Sequence, residues 1–193
     1  MYKYLPLALA AFASALPAPQ SGSTVGAQPD KSSEFSLAMT VDGSFVSLTA
    51  VSNGTSGSKV LQAGRLSVYP GSPAYLNTTG EHNGYSAINF DLEDGIYGAS
   101  LPDAGDNYGH AASATAILGY QEFEWIVTNG TVSHKLDAAL NKFYACKDTA
   151  AGEENFFLKW GTASTDSQPP VNCQSTQLVQ NFNVEGGAKG SDA

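Results

Sequence analysis

The chain has 193 residues, with 18 acidic and 9 basic side chains and a formal net charge of −9 at neutral pH. An acidic surface of this kind repels phosphate backbones and anionic lipids, because binding to either needs clustered Lys and Arg. We therefore expect no nucleic-acid partner and no membrane partner. Only 14% of the residues are charged, while 20 are glycine, a balance typical of extracellular β proteins.

The first residues have the order of a secretory signal peptide. Lys3 precedes an apolar run from Leu5 to Phe12, and a small-residue triplet, Ala-Ser-Ala, ends at Ala15. This order predicts a signal peptide over residues 1–15, with cleavage before Leu16. The run is shorter than the ~20 apolar residues that a membrane helix needs, so we expect a secreted product.

Composition divides the remaining chain into three segments. Residues 16–34 contain almost no large apolar side chains, so burial cannot offset the cost of ordering them. We expect a flexible leader there. Residues 35–184 are predicted to form one β-sandwich domain with volume for a sizeable core, and residues 185–193 a disordered polar tail.

Short apolar runs separated by Gly, Pro, Asn or Asp recur through the predicted domain. Phe35–Val41 alternates with a period of two, which predicts a half-buried strand, and Phe45–Val51 repeats the pattern after an Asp42-Gly43 turn. Further strands are predicted at 60–63, 65–69, 74–77, 87–92, 96–99, 114–120, 143–146, 155–160 and 176–182. Spacing around 136–143 also fits a helical turn, but we favour a strand. The predicted fold is all-β, an antiparallel β-sandwich or jelly-roll-like barrel of about ten to twelve short strands with one disulfide.

The strongest turn signal lies within residues 122–133. The runs EFEWIVT and TVS flank Asn129-Gly130, the pair favoured in a two-residue type I′ hairpin turn. In such a hairpin, alternation places Glu122 and Glu124 on one strand face and Trp125 on the other.

Two cysteines and three sequons indicate an exported chain. In an oxidising compartment an isolated pair is most simply a disulfide, so we predict a bond between Cys146 and Cys173. Asn53, Asn77 and Asn129 each begin an Asn-X-Thr sequon among turn-forming residues, where an exposed glycan acceptor is expected. The sequence therefore predicts a glycoprotein.

Candidate catalytic and metal-binding residues are few. His82, His110 and His134 have no partner at a zinc-ligand spacing, and no serine-hydrolase elbow is present. We therefore expect no catalytic residues, no metal and no cofactor. The best enzymatic pair is Glu122 and Glu124, since glycosidases use paired carboxylates beside aromatic side chains. An ordinary half-exposed strand shows the same alternation, and we favour that interpretation.

Two weaker ligand hypotheses arise from acidic and aromatic residues. Acidic side chains between Asp91 and Asp106 could chelate calcium, but they lack the spacing of an EF-hand loop, so a solvated turn is favoured. Six tyrosines could form a sugar-stacking platform, although aromatic residues in strands more often pack in the core. They are Tyr69, Tyr75, Tyr85, Tyr97, Tyr108 and Tyr120.

The C-terminal third carries a family resemblance. Phe143-Tyr-Ala-Cys146, followed by Phe156-Phe-Leu-Lys-Trp160 and Asn172-Cys173, resembles fungal secreted cell-wall proteins of the phialide-development (PhiA) and IgE-binding group. That group often has a small-residue, Pro, His motif after its first strand and additional cysteines, which this chain lacks.

The resemblance implies a non-enzymatic cell-wall or surface glycoprotein, structural or linked to conidial development. It implies cell-wall polysaccharide or other wall proteins as partners, and it supplies no catalytic residues. The alternative, from another class, is a small secreted glycan-binding module or a glycoside hydrolase that uses Glu122 and Glu124.

Overall fold

The computed structural model describes residues 34–64, 71–79, 83–102, 109–136, 141–150 and 153–182. These residues form 14 strands and no helix. The strands are β1 (Phe35–Val41), β2 (Ser44–Ser52), β3 (Ser58–Ala63), β4 (Pro73–Asn77), β5 (Ala87–Leu92), β6 (Gly95–Ser100), β7 (His110–Ser113), β8 (Thr115–Leu118), β9 (Trp125–Thr128), β10 (Thr131–His134), β11 (Asn141–Ala150), β12 (Glu153–Thr162), β13 (Cys173–Ser175) and β14 (Leu178–Asn181).

This architecture confirms the predicted all-β antiparallel fold with one disulfide. The 14 strands exceed the predicted number, because β7 and β13 are too short to show a period in the sequence. The predicted signal peptide, leader and tail, and the predicted strand at 65–69, lie outside the described residues. In the described part of the chain, no helix is long and apolar enough to cross a membrane.

Part of the sheet closes into a barrel-like ring. The ring runs β1, β2, β3, β8, β6, β5, β4 and back to β1. It closes at β1, whose first residues pair with β4 (Phe35 with Ala74) and whose last residues pair with β2 (Val41 with Ser44). Strands β12, β11 and β13 continue the sheet from β3, while β14, β10 and β9 continue it from β1.

Strand β1 is buried on both faces, which differs from the half-buried strand predicted for it. Phe35, Leu37 and Met39 are fully buried, and so is Ser36 on the opposite face. The difference arises because another backbone segment covers the second face, where a Cβ added at Gly71 would lie 2.8 Å from the Ser36 Cβ. The sequence of one strand cannot reveal which other segments pack on it.

The β9–β10 hairpin has the predicted turn. Asn129 and Gly130 have φ angles of 52° and 79°, the left-handed values that a type I′ turn requires and that Asn and Gly tolerate. Thr128 pairs with Thr131, and the ladder continues to the pair Trp125 and His134.

This hairpin is anchored at its open end. The backbone of Trp125 exchanges two hydrogen bonds with Ser86, at 2.9 and 3.1 Å, and Val132 of β10 pairs with Leu178 of β14. The ring of Trp125 stacks on Phe143 of β11 with centroids 6.1 Å apart. The end of the hairpin at Trp125 is therefore fixed against the core.

Candidate functional site

Three ligand-type side chains converge at the open end of the β9–β10 hairpin. His134 Nε2 lies 3.3 Å from Glu122 Oε1 and 3.6 Å from Glu124 Oε2. One ligand atom from each of the three residues lies within 4.8 Å of the other two. We call this group the Glu-Glu-His cluster.

The hairpin register explains why these residues meet. Trp125 pairs with His134 in the last rung of the ladder, so Glu124 is adjacent to Lys135 just beyond it. The backbone N–H of Lys135 donates to the carbonyl of Glu124 at 2.9 Å, and the Lys135 ammonium contacts Glu124 Oε1. His134 is therefore held beside the segment that carries both glutamates.

The prediction that Glu122 and Glu124 occupy one face of a strand is wrong. Strand β9 begins only at Trp125, and Phe123 and Glu124 form a turn before it. Because the chain turns there instead of continuing extended, both carboxylates reach towards His134. In an extended strand they would project outward side by side.

Each of the three residues is held by its other polar atom. Leu101 N–H donates to Glu122 Oε2 at 3.2 Å, Lys135 contacts Glu124 Oε1, and Leu136 N–H donates to His134 Nδ1 at 3.3 Å. These contacts leave Glu122 Oε1, Glu124 Oε2 and His134 Nε2 close together, each within 4.8 Å of the other two residues' ligand atoms. The arrangement resembles the outer hydrogen bonds that orient ligands around a metal.

The imidazole of His134 is the least satisfied member of the cluster. Since Nδ1 accepts a hydrogen bond, the proton of the neutral ring lies on Nε2. Although Nε2 is close to both carboxylates, the contacts lack hydrogen-bond geometry, and Nε2 has no hydrogen-bond partner among the described residues. A buried polar nitrogen that makes no hydrogen bond is costly and calls for an explanation.

The cluster lies between an aromatic wall and solvent. The His134 side chain is 0% exposed, whereas the side chains of Glu122 and Glu124 are 13% and 27% exposed. The rings of Trp125 and Trp160 approach His134 edge-on, with centroids 5.2 and 5.9 Å from its own. Within the part of the chain that the structure describes, the cluster is therefore open to solvent on the side of the glutamates.

The predicted disulfide is confirmed. Cys146 of β11 and Cys173 of β13 are bonded, and they stand directly opposite each other in the ladder. Lys147 N–H donates to the Asn172 carbonyl at 2.8 Å on one side of this pair. The cysteines therefore occupy a non-hydrogen-bonded pair, where the Cα atoms of opposing residues are closest.

The three sequons occupy different environments. Asn53 and Asn129 are exposed in turns. Asn77 is 1% exposed, and its side-chain nitrogen donates to Gln121 Oε1 at 3.0 Å. A buried amide nitrogen leaves no room for a glycan, so we retain the glycosylation prediction for Asn53 and Asn129 only.

The weaker ligand hypotheses gain no support where the structure can address them. Tyr75 and Tyr97 are core residues, as expected for aromatic residues in strands. Tyr85 is half-buried and Tyr120 is exposed, and both lie outside the strands. Asp94 Oδ2 accepts hydrogen bonds from Lys59 and Tyr97, both at 2.9 Å, so that oxygen is already engaged. Four of the residues considered for these sites lie outside the described residues, namely Tyr69, Asp103, Asp106 and Tyr108.

In the sequence, His134 has no metal-ligand partner at the spacing typical of zinc sites. Its proximity to Glu122 and Glu124 was therefore not predicted. A signal was present, because Asn129-Gly130 fixes the rung that pairs Thr128 with Thr131. Counting three further rungs brings Trp125 opposite His134. The bend that brings in Glu122 has no comparable local signal.

Neither a protein-family model, nor a curated protein, nor a solved structure matches this chain.

Proposed function

We propose that this chain is a secreted, non-enzymatic glycoprotein of the cell surface or cell wall. The observation that carries the proposal is the Cys146–Cys173 bond, because disulfides persist in oxidising, extracellular compartments. The signal-peptide pattern of residues 1–15 supports export. Exposed sequons at Asn53 and Asn129 are compatible with a glycosylated surface.

The wall assignment rests on sequence motifs. Phe143–Cys146 and Phe156–Trp160 resemble strands of fungal wall proteins of the phialide-development and IgE-binding group. In this fold those strands pair with each other along their length, with Phe143 opposite Trp160, and they carry one half of the disulfide. The motif therefore belongs to the structural core of the protein, as a scaffold role requires.

The geometry of the glutamates favours a non-enzymatic role. A glycosidase places two carboxylates on either side of the scissile bond, whereas Glu122 and Glu124 both face His134. One oxygen of Glu124 also contacts the Lys135 ammonium, so that oxygen is already engaged within the protein.

The full chain, expressed in a eukaryotic secretory host, tests the proposal. We expect a mature N-terminus at Leu16 by Edman sequencing, and a mass decrease after endoglycosidase treatment that requires Asn53 or Asn129. We also expect co-sedimentation with insoluble cell wall and release by salt or detergent. Retention of Met1, or no association with wall, β-glucan, chitin or mannan, would contradict the proposal.

Hydrolysis assays on the same polysaccharides separate this proposal from the hydrolase alternative. We expect no turnover. Turnover that disappears in Glu122→Gln or Glu124→Gln would establish the alternative, and Glu154→Gln is the matched control because Glu154 is an exposed carboxylate elsewhere on the sheet.

A further inference from the structure

We propose that the Glu-Glu-His cluster is a binding site for a divalent transition metal, with Zn²⁺ as the best fit. This inference goes beyond the surface role above, and it departs from the expectation drawn from the sequence that no metal binds. It rests on two independent observations. Three ligand atoms converge, and the most deeply buried of them, His134 Nε2, has no hydrogen-bond partner among the described residues.

The ligand separations fit a small tetrahedral ion. Ligand bonds of about 2.0–2.1 Å in a tetrahedron place two ligand atoms about 3.3 Å apart. The observed separations from His134 Nε2 are 3.3 Å to Glu122 Oε1 and 3.6 Å to Glu124 Oε2. The ligand oxygens of the two glutamates lie within 4.8 Å of each other, so movement of these partly exposed side chains towards each other would complete three protein ligands, and solvent can supply the fourth.

The ligand types select the class of metal. An imidazole nitrogen suits Zn²⁺ and other transition metals, whereas Ca²⁺ and Mg²⁺ prefer oxygen ligands alone. Two carboxylates neutralise the charge of a divalent ion. The aromatic wall formed by Trp125 and Trp160 excludes water from the inner side of the site, which strengthens electrostatic attraction there.

Metal binding requires one change at His134. Nε2 must lose its proton to coordinate, and the neutral ring then carries a proton on Nδ1. The hydrogen bond from Leu136 N–H to Nδ1, which is long at 3.3 Å, must therefore give way. Leu136 lies in an exposed turn after β10, where such a rearrangement disturbs no core packing.

Lys135 is a competing cation at this site. Its ammonium contacts Glu124 Oε1, so an incoming metal must share or replace that partner. We expect Lys135→Gln to bind Zn²⁺ at least as tightly as the unmodified chain, because the variant keeps all three ligands and removes one positive charge.

Tryptophan fluorescence provides a direct readout. The sequence has two tryptophans, and both rings lie beside His134. Titrating tag-free, full-length protein with Ni²⁺ should quench this fluorescence, and excess Zn²⁺ should reduce the quenching by competition. Isothermal titration calorimetry should show one Zn²⁺ per chain, with no comparable binding of Ca²⁺ or Mg²⁺.

Matched variants locate the ion. Glu122→Gln and Glu124→Gln should each weaken Zn²⁺ binding by about tenfold or more, while Glu154→Gln should change it by less than about twofold. His134→Gln should abolish binding and His110→Gln should not. His134 is buried and its substitution can disturb folding, so the two glutamate variants, checked by circular dichroism, decide the matter independently.

Three results would overturn the proposal. They are the absence of one-to-one Zn²⁺ binding, equal binding by the two glutamate variants and the Glu154→Gln control, and Ca²⁺ binding at the same residues with an affinity equal to that of Zn²⁺.

Discussion

Asp94 lies in the turn between β5 and β6 and connects this turn to β3. Its carboxylate accepts hydrogen bonds from Lys59 of β3 and from Tyr97 of β6. The hydrogen bond from Lys59, and then that from Tyr97, hold the pKa of Asp94 below its usual value of 3.8. Asp94 in turn raises the pKa of Lys59 above 10.5.

The direction of this shift predicts how stability responds to acid. A lowered carboxyl pKa contributes stability above the unfolded value, and that stability is lost as pH falls through the folded pKa. In Asp94→Asn we expect the free energy of unfolding, measured by urea titration, to fall less steeply below about pH 4. Lys59→Gln should flatten the same part of the profile, and the double variant should show non-additive effects. If the free energy of unfolding of Asp94→Asn falls below about pH 4 as steeply as that of the unmodified chain, this assignment is contradicted.

Gly161 marks a close contact between β12 and β7. A Cβ atom at this position would lie 2.1 Å from the His110 carbonyl oxygen and 2.5 Å from the Ala111 Cα. We expect Gly161→Ala to lower the free energy of unfolding by about 1–3 kcal/mol, the usual range for overpacking. The comparison is Gly43→Ala, whose Cβ meets nothing within 4 Å and which tests backbone strain alone. An equal or smaller loss in Gly161→Ala, measured by denaturant titration, would contradict the crowding argument.

At the scale of elements, β13 depends on its disulfide. The strand has three residues, Cys173–Ser175, and pairs only with β11 in the described sheet. So short a strand at the end of a sheet has little packing of its own. The bond from Cys173 to the buried Cys146 therefore supplies much of its attachment.

Removing the disulfide should loosen this strand first. The two cysteines have a sequence separation of 27, for which the chain-entropy relation gives a stabilisation of about 3–4 kcal/mol. We expect the double variant Cys146→Ala/Cys173→Ala to lose about this much by denaturant titration, and Lys147 N–H to exchange faster with deuterium. Unchanged stability together with unchanged exchange at Lys147 would show that β13 is held by other contacts.

Some elements can be predicted because their signals are local. The sequence predicts Ala87–Leu92 with the bounds that β5 has, since Asn83-Gly84 before it and Asp94-Gly95 after it mark off its apolar run. Asn129-Gly130 likewise sets the hairpin register. Strand β7 has the sequence HAAS, which is too short and too uniform to show the alternation of polar and apolar residues that marks a strand. The site required a bend at Phe123 and a contact with His134, which depend on how the chain turns after tertiary packing.

The whole molecule is assembled by pairing between the two ends of the domain. Ser36 of β1 is opposite Asn181 of β14, so the first and last strands are neighbours. Such pairings must overcome the entropy of closing a long loop. The sequence shows both strands but contains no sign that they pair.

Leu178 tests this junction. It is 1% exposed and is opposite Met39 on one side and Val132 on the other. We expect Leu178→Ala to reduce the free energy of unfolding by about 2–5 kcal/mol, as for other buried leucines. Val171→Ala is the control, since Val171 is 84% exposed and should change stability by about 0.5 kcal/mol or less. Similar effects of the two substitutions would place the stabilising junction elsewhere.

Ring closure also limits how this protein can aggregate. The hydrogen-bonded path through the described sheet ends at β13 and β9, which have only three and four residues. Long exposed edge strands are the templates on which other copies add by strand pairing, and short edges are poor ones. The backbone N–H and carbonyl of Trp125 in β9 are already bonded to Ser86, and β13 is covalently tied to its neighbour. A fold with edges of this kind can be packed at high local concentration, as at a surface, with little tendency to form cross-β fibres.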